Sequence, residues 1–381
     1  MPSIYVDHFS TTPLDPRVAE AMRPHLGVEF GAPTALHARG RRIAAVIEAA
    51  RAAVARLLAA DPDEILFAGS ATEANNLVVK GAVVEGVRVV RRLAASTEHH
   101  SVLHPLRSLE RTGAETALLP VGPEGVLDLD ACAEALRSGP GLLSVAHASA
   151  EIGTLQPIAT IVGMARAAGW LLHADAVATA GRIPFGGTPR PDFEVITPHL
   201  FNGPAGIAAV RVARGRSLRP LVEGGLQEGG LRAGTLPVAL CAGFGAAADI
   251  ALREGSERAA AAERLALDLR GRLGSRLGDL GFTGHPDRRV PGHLSLTVRG
   301  VEAEALLREL DEAGVEASSG SACLTGAGKP SHVLVACGID PGTARGALTI
   351  GFGAGNRPED PERIAVVLAA AASRLRALSP L

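Results

Sequence analysis

Several groups of residues in this chain have types and spacings that could do chemistry. Gly69-Ser70-Ala71-Thr72 follows a short apolar run and opens a helical stretch. A glycine turn feeding a helix leaves backbone N–H groups and the positive end of the helix dipole free to hold a phosphate. The same residues also read as an ordinary capped helix start, since Ser70 and Thr72 are both good caps. His100 and His104 are an i, i+4 pair that could bind a metal. No cysteine or carboxylate completes a metal pattern around them, so a solvated helix face is the simpler expectation and no metal is expected. The four cysteines, Cys132, Cys241, Cys323 and Cys337, form no CxxC pair and no zinc spacing. They read as reduced thiols of a cytoplasmic protein. Cys323 follows Ser319-Gly320-Ser321-Ala322 and precedes Leu324-Thr325-Gly326-Ala327-Gly328, a run of small residues suited to movement. It reads either as a working thiolate or as a leftover residue in a tolerant loop. Amines are scarce: the basic residues are almost all arginine, with lysine at Lys80 and Lys329 alone.

A chain of 381 residues exceeds the size at which one core stops growing, so two domains are expected. With 47% hydrophobic residues it can bury a sizeable core. A net charge of −2 argues against a general nucleic-acid or membrane-surface binder. No basic region followed by an apolar stretch opens the chain, and the alanine-rich stretches are broken by Arg and Glu, so neither a signal peptide nor a membrane span is expected. Residues 38–60 carry apolar positions at helical spacing. Short apolar runs at Glu64 to Phe67, Leu142 to Ala146, Trp170 to His173, Phe193 to Ile196 and Gly206 to Val212 read as strands, most of them separated by helical stretches. That alternation implies a mostly parallel sheet covered on both faces. A long helical region runs from Pro237 to about Leu280. Beyond it come a strand at Gly292–Val298, a helix at Glu302–Ala313 and an amphipathic helix from Asp360, the pattern of a smaller α+β domain.

Ordered motifs run through nearly the whole chain: Ile4-Tyr5-Val6-Asp7, Thr11-Thr12-Pro13-Leu14-Asp15-Pro16-Arg17-Val18, Ala71-Thr72-Glu73-Ala74-Asn75-Asn76, Thr97-Glu98-His99, Glu151-Ile152-Gly153, His173-Ala174-Asp175-Ala176, Thr197-Pro198-His199-Leu200-Phe201-Asn202-Gly203-Pro204-Ala205-Gly206, Arg232-Ala233-Gly234-Thr235 and Ser319-Gly320-Ser321-Ala322-Cys323. In this order they resemble the cysteine desulfurases, a branch of the class V aminotransferases that use pyridoxal phosphate (PLP). The resemblance implies an α/β fold, PLP fold type I: a mostly parallel sheet of the seven-stranded type between helices, plus a smaller α+β domain. The expected division is 15–255 for the large domain, with 1–14 and 256–381 forming the small one. It also implies a dimer with active sites at the interface. Ala71, Thr72, Thr197 and His199 would hold the cofactor phosphate, and Thr235 would reach it from the other subunit. Asp175 would pair with the pyridinium nitrogen, His99 would stack on the ring and shuttle protons, and Cys323 would accept sulfur as a persulfide.

The departures from the family pattern are as informative. Leu200 stands where the family has the lysine that forms the Schiff base with PLP. Drift away from lysine would put arginine there; leucine implies that the need for an amine was lost. Lys80 matches an ordinary helix end in the family, and Lys329 lies beyond Cys323, where only folding could bring it near. Ala150 and Ala178 replace an asparagine and a glutamine beside the cofactor's phenolic oxygen. Ala32 and, by alignment, Thr349 replace the asparagine and arginine that hold the substrate carboxylate, the latter a contact worth roughly 1.5–3 kcal/mol. The expectation is a pocket of lower polarity and larger volume. The resulting reading is a desulfurase-like cytoplasmic protein that serves sulfur transfer, in iron–sulfur assembly or thio-modification, as a scaffold, as a partner of an active homologue, or as a persulfide relay. Its partners would be a second identical or related chain and a sulfur-acceptor protein. The alternatives are an active desulfurase or lyase with non-covalently bound PLP, and a binder of a phosphorylated small molecule.

Overall fold

The computed structural model describes residues 3–84, 87–320 and 330–378. A seven-stranded sheet has the spatial order Ile65–Ala68, Ala208–Val212, Phe193–Ile196, Leu171–Asp175, Leu142–Ser144, Arg91–Ala95 and Glu115–Leu119. Ala208–Val212 runs antiparallel to both of its neighbours, and the other pairings are parallel. Both faces are covered, and the strands alternate between them. Ile65 and Phe67 pack into one core with Phe244 and Ile47, while Leu66 and Ala68 pack into another with Leu77 and Val195.

Two strands of this sheet escaped the sequence reading, and their polar residues explain why. Glu115–Leu119 is an edge strand with a largely exposed pattern, paired only to Arg91–Ala95. Arg91–Ala95 opens on two arginines. Arg92 is nevertheless buried, its Nε donating to the Val79 carbonyl at 2.6 Å. The other expected strands and helices are present with ends shifted by a few residues: Ala38–Leu57, Ile65–Ala68, Leu171–Asp175, Ala208–Val212, His293–Val298, Ala303–Glu312 and Asp360–Leu378.

A separate core belongs to a three-stranded antiparallel sheet, Leu280–Phe282, His293–Val298 and Ala347–Gly351, packed with Leu306 and Ile364 from two helices. The 39-residue helix Val238–Arg276 enters this core through Leu269 and Leu273, and the core of Phe67 and Ile47 through Cys241 and Phe244. It runs through the expected division at residue 255. The N-terminal segment also bridges the two. Ile4–Tyr5 pairs with Val315–Glu316, and Thr12 then clamps the turn that carries Leu200. The Thr12 amide and hydroxyl both donate to the His199 carbonyl, at 2.8 and 2.7 Å, and the hydroxyl oxygen accepts from the Asn202 amide at 2.8 Å.

Gly245 lets the long helix lie directly on the helix Ala38–Leu57: a Cβ there would sit 2.8 Å from the Ala50 Cα. In a free helix Gly→Ala is stabilising by about 1 kcal/mol. Here overpacking against backbone outweighs that gain, so Gly245→Ala is expected to lower stability by about 1–3 kcal/mol in urea unfolding. A rise in stability would show that the two helices can part.

Candidate active site

The candidate residues gather at the carboxyl ends of the parallel strands, where loops leave the sheet and backbone groups are unpaired. Gly69 follows Ile65–Ala68, Thr97 to His99 follow Arg91–Ala95, Asp175 ends Leu171–Asp175, and Thr197 follows Phe193–Ile196.

The phosphate-type turn is built from Ser70, which caps the helix Ala71–Gly81 by accepting from the Glu73 amide at 3.1 Å. The other first-turn amides have no acceptor within the helix. Glu73 folds back, accepting from the Gly69 amide at 3.0 Å and pairing with Arg232 Nε at 2.8 Å. This ion pair ties the segment Arg232–Thr235 to the turn, leaving Thr72 and Thr235 exposed. The preceding loop is held by Glu228, which binds Arg51 at 2.7 Å and accepts from the Phe67 amide at 2.7 Å.

Asp175 is held from two sides. The Val177 amide donates to Oδ1 at 3.0 Å, and Asn75 Nδ2 donates to Oδ2 at 2.7 Å. Asn75 is fully buried and also donates to Ser101 Oγ at 2.8 Å, while its Oδ1 lies 3.1 Å from His173 Nε2. Ser101 Oγ in turn lies 2.7 Å from His99 Nδ1, which also accepts from the Ser101 amide at 3.1 Å. The fold thus joins Asp175 and His99 in one network, although they are far apart in sequence. Asn75 is the site residue that sequence reasoning passed over. The available signal was an asparagine amid Ala74, Leu77 and Val78 on a helix interior, a place where it has no intrinsic advantage.

Thr197 is buried and donates to the Ile207 carbonyl at 2.9 Å. His199 stands in the single 3₁₀ turn Pro198–Leu200, and burial lowers its pKa. Leu200 is 4% exposed and lines a narrow cavity with His8, Arg182, Phe201 and Gly353. Lys80 is in the last turn of the helix that opens at Ala71, about 12 Å along the axis from Thr72. Cys323 and Lys329 lie outside the described residues. Gly320 and Ser331, on either side of them, both meet Glu151: Ser331 donates to its carboxylate, and a Cβ on Gly320 would sit 2.7 Å from its Cγ.

Ala178 is buried with Ala148, Val290 and Phe9, whose ring meets His293 at 4.6 Å and lies under the Arg182 guanidinium at 4.3 Å. Ala178 thus belongs to a small apolar cluster that includes an aromatic ring. Ala32 and Ala150 are exposed, and the Ala150 carbonyl accepts from His293 Nε2 at 2.9 Å. Thr349 is buried and donates to the Glu151 carbonyl at 3.1 Å.

His100 is not on a freely solvated face. Its ring stacks on His104 at 4.8 Å and meets His332 at 4.6 Å. Burial and then the neighbouring charge of His332 lower its pKa to about 4. Among the described residues no group of three or more His, Cys, Asp or Glu could hold a metal.

The pattern of the family described as Aminotransferase class-V matches residues 4–364. The chain belongs to that family. It is 38% identical to cysteine desulfurase IscS 1 of Archaeoglobus fulgidus, over 99% of each chain. It is 36% identical to cysteine desulfurase IscS of Dictyoglomus turgidum, over 99% of this chain and 96% of the relative. Among solved structures it is similar to a NifS-like protein, with 30% identity, a TM-score of 0.88, and 98% and 99% of the two chains covered. It shares its fold with an apo cysteine desulfurase from Thermococcus onnurineus at a TM-score of 0.84 and 21% identity, with 98% and 95% covered. This family member has the PLP type I fold: a seven-stranded, mostly parallel sheet between helices, with a smaller second unit. No helix of the described residues is long and apolar enough to cross a membrane.

Glu98 is completely buried beside the site. Burial, then the charge of Asp175, push its carboxyl up to about 8, against the opposing donation from the Ala146 amide at 2.7 Å. Its folded pKa lies above its unfolded one, so the stability it contributes is full below about 4.5 and is lost as pH rises through about 8. Glu98→Gln is expected to remove up to about 1.4 kcal/mol per pH unit of that slope. Urea unfolding between pH 5 and 8 would show the variant gaining on the wild type as pH rises; parallel profiles would refute a protonated Glu98.

Proposed function

We propose that this aminotransferase class-V member serves sulfur transfer without lysine-anchored PLP chemistry, as a scaffold, as a partner of an active homologue, or as a persulfide relay through Cys323. The observation that supports this reading is Leu200, buried in the turn where the resemblance calls for an amine. The relatives' names as cysteine desulfurases support sulfur chemistry as the setting.

The residues around Asp175 fit a pyridine 5′-phosphate in all but the covalent link. Both Asp175 oxygens are held in place, leaving the carboxylate to face a ring nitrogen. The first-turn amides and Thr72 hydroxyl can donate to a phosphate, while the Thr197 hydroxyl already donates to Ile207. Bound there, PLP would supply an electron sink. The intact network from Asp175 to His99 favours a second reading, desulfurase or lyase activity with non-covalently held PLP. A binder of another phosphorylated small molecule is the third.

The visible spectrum of the purified protein with added PLP, before and after borohydride and desalting, tests whether any lysine anchors the cofactor. Loss of the chromophore on desalting and no covalent adduct are expected. A retained band fixed by borohydride would show that a lysine serves after all. Leu200→Lys alone is expected to leave sulfide release from cysteine at least tenfold below that of an active relative, because Ala32 and Thr349 stand where the resemblance calls for the residues that hold the substrate carboxylate; vigorous release would sink the remodelled-site reading.

The exposed apolar residues Leu26, Val28, Phe30, Leu36, Leu221, Val222 and Leu226 support a partner chain. The segments that carry them share a cleft lined by Pro33, Thr34 and Leu226. Such a surface favours burial by an identical or related subunit. Sedimentation is expected to give a dimer that Val28→Glu with Leu226→Glu dissociates; an unchanged mass would place the contact elsewhere.

A further inference from the structure

We infer that Asn75 is a positioning residue that, through Ser101, sets the tautomer in which His99 faces the site. The chain of hydrogen bonds admits one polarity. Asp175 Oδ2 accepts, so the amide nitrogen of Asn75, rather than its oxygen, is the group turned toward it, at 2.7 Å. Asn75 Oδ1 is thereby directed at His173, whose Nε2 must donate across 3.1 Å. His173 is fully buried and neutral, its pKa lowered by that burial to about 3, so its Nδ1 accepts from Ser144 Oγ at 3.1 Å.

The other branch runs outward. Asn75 Nδ2 also donates to Ser101 Oγ at 2.8 Å, which leaves the serine's own hydrogen for His99 Nδ1 at 2.7 Å. The Ser101 amide, which can only donate, approaches the same nitrogen at 3.1 Å. His99 Nδ1 is therefore an acceptor twice over, and the proton of the neutral ring is on Nε2. His99 stands at the head of the helix His100–Glu110, and in this tautomer its Nε2 carries the hydrogen. In this form Nε2 is a donor and does not take a proton. One carboxylate, Asp175, thus dictates the tautomers of two histidines.

The inference does not depend on PLP and is tested on the protein without added ligand. Long-range proton–nitrogen NMR of histidine-labelled protein, at a pH where His99 is neutral, should show Nε2 protonated and Nδ1 bare. Ser101→Ala removes one of the two donors to Nδ1 and is expected to raise the minor Nδ1–H form about fivefold. Ser101→Thr restores the hydroxyl and the wild-type ratio. Asn75→Ala is expected to act in the same direction, with no further change in the double variant, because Asn75 works through Ser101. Should Asn75→Ala fail to fold, the Ser101 pair still decides. An Nδ1–H ring in the wild type, or an unchanged ratio in a Ser101→Ala protein with native circular dichroism, would overturn the inference.

Discussion

The carboxylate of Asp175 and the amide of Asn75 are the contact on which the site's geometry hangs. A buried asparagine presents two donors and one acceptor, and leaving any of them unmatched carries a desolvation cost of about 1–3 kcal/mol. Here the donors go to Asp175 and Ser101 and the acceptor to His173. Helix Ala71–Gly81, strand Leu171–Asp175 and helix His100–Glu110 are thereby held at a fixed relation. Displacing any one of them would strand a buried polar group in surroundings of low dielectric. The phosphate-type turn shares this helix, so its orientation is set by the same contact.

The reactive end of the site is built on different principles. Leu200 is buried beside His8 and Arg182, and Ala178 shares a small apolar cluster with Phe9. These are packing interactions, and the polar work of nearby residues is turned inward. Thr349 and His293 bond to backbone carbonyls of the segment 150–151. The cores of the sheet reach the site itself: Ala176 and Phe201, next to Asp175 and Leu200, belong to one, and Ala74 and Ala71 to another.

Much of the plan was legible in the sequence. The glycine turn at Gly69, the helix at 38–57 and the long helix from Val238 follow from spacing and local chemistry, and Leu200 needed only its place in an ordered set of motifs. Arg91–Ala95 and Glu115–Leu119 were not legible, because an edge strand and one opened by arginines lack the apolar run by which the others were read. The histidine pair at 100 and 104 carried a helical spacing but gave no sign of His332, which arrives from more than two hundred residues away.

Residue types, their order and their local spacing determined by themselves the family, the strand–helix alternation and the absence of an amine at position 200. Tertiary structure alone decided which polar groups meet: Asn75 with Asp175, His173 and Ser101, and Glu73 with Arg232. It alone brought Phe9 and Ala178 into one buried cluster. The physical reason is range. Propensity and periodicity act over a few residues, whereas hydrogen-bond partners and packed volumes are fixed by segments that only the closed fold brings to within a few ångströms.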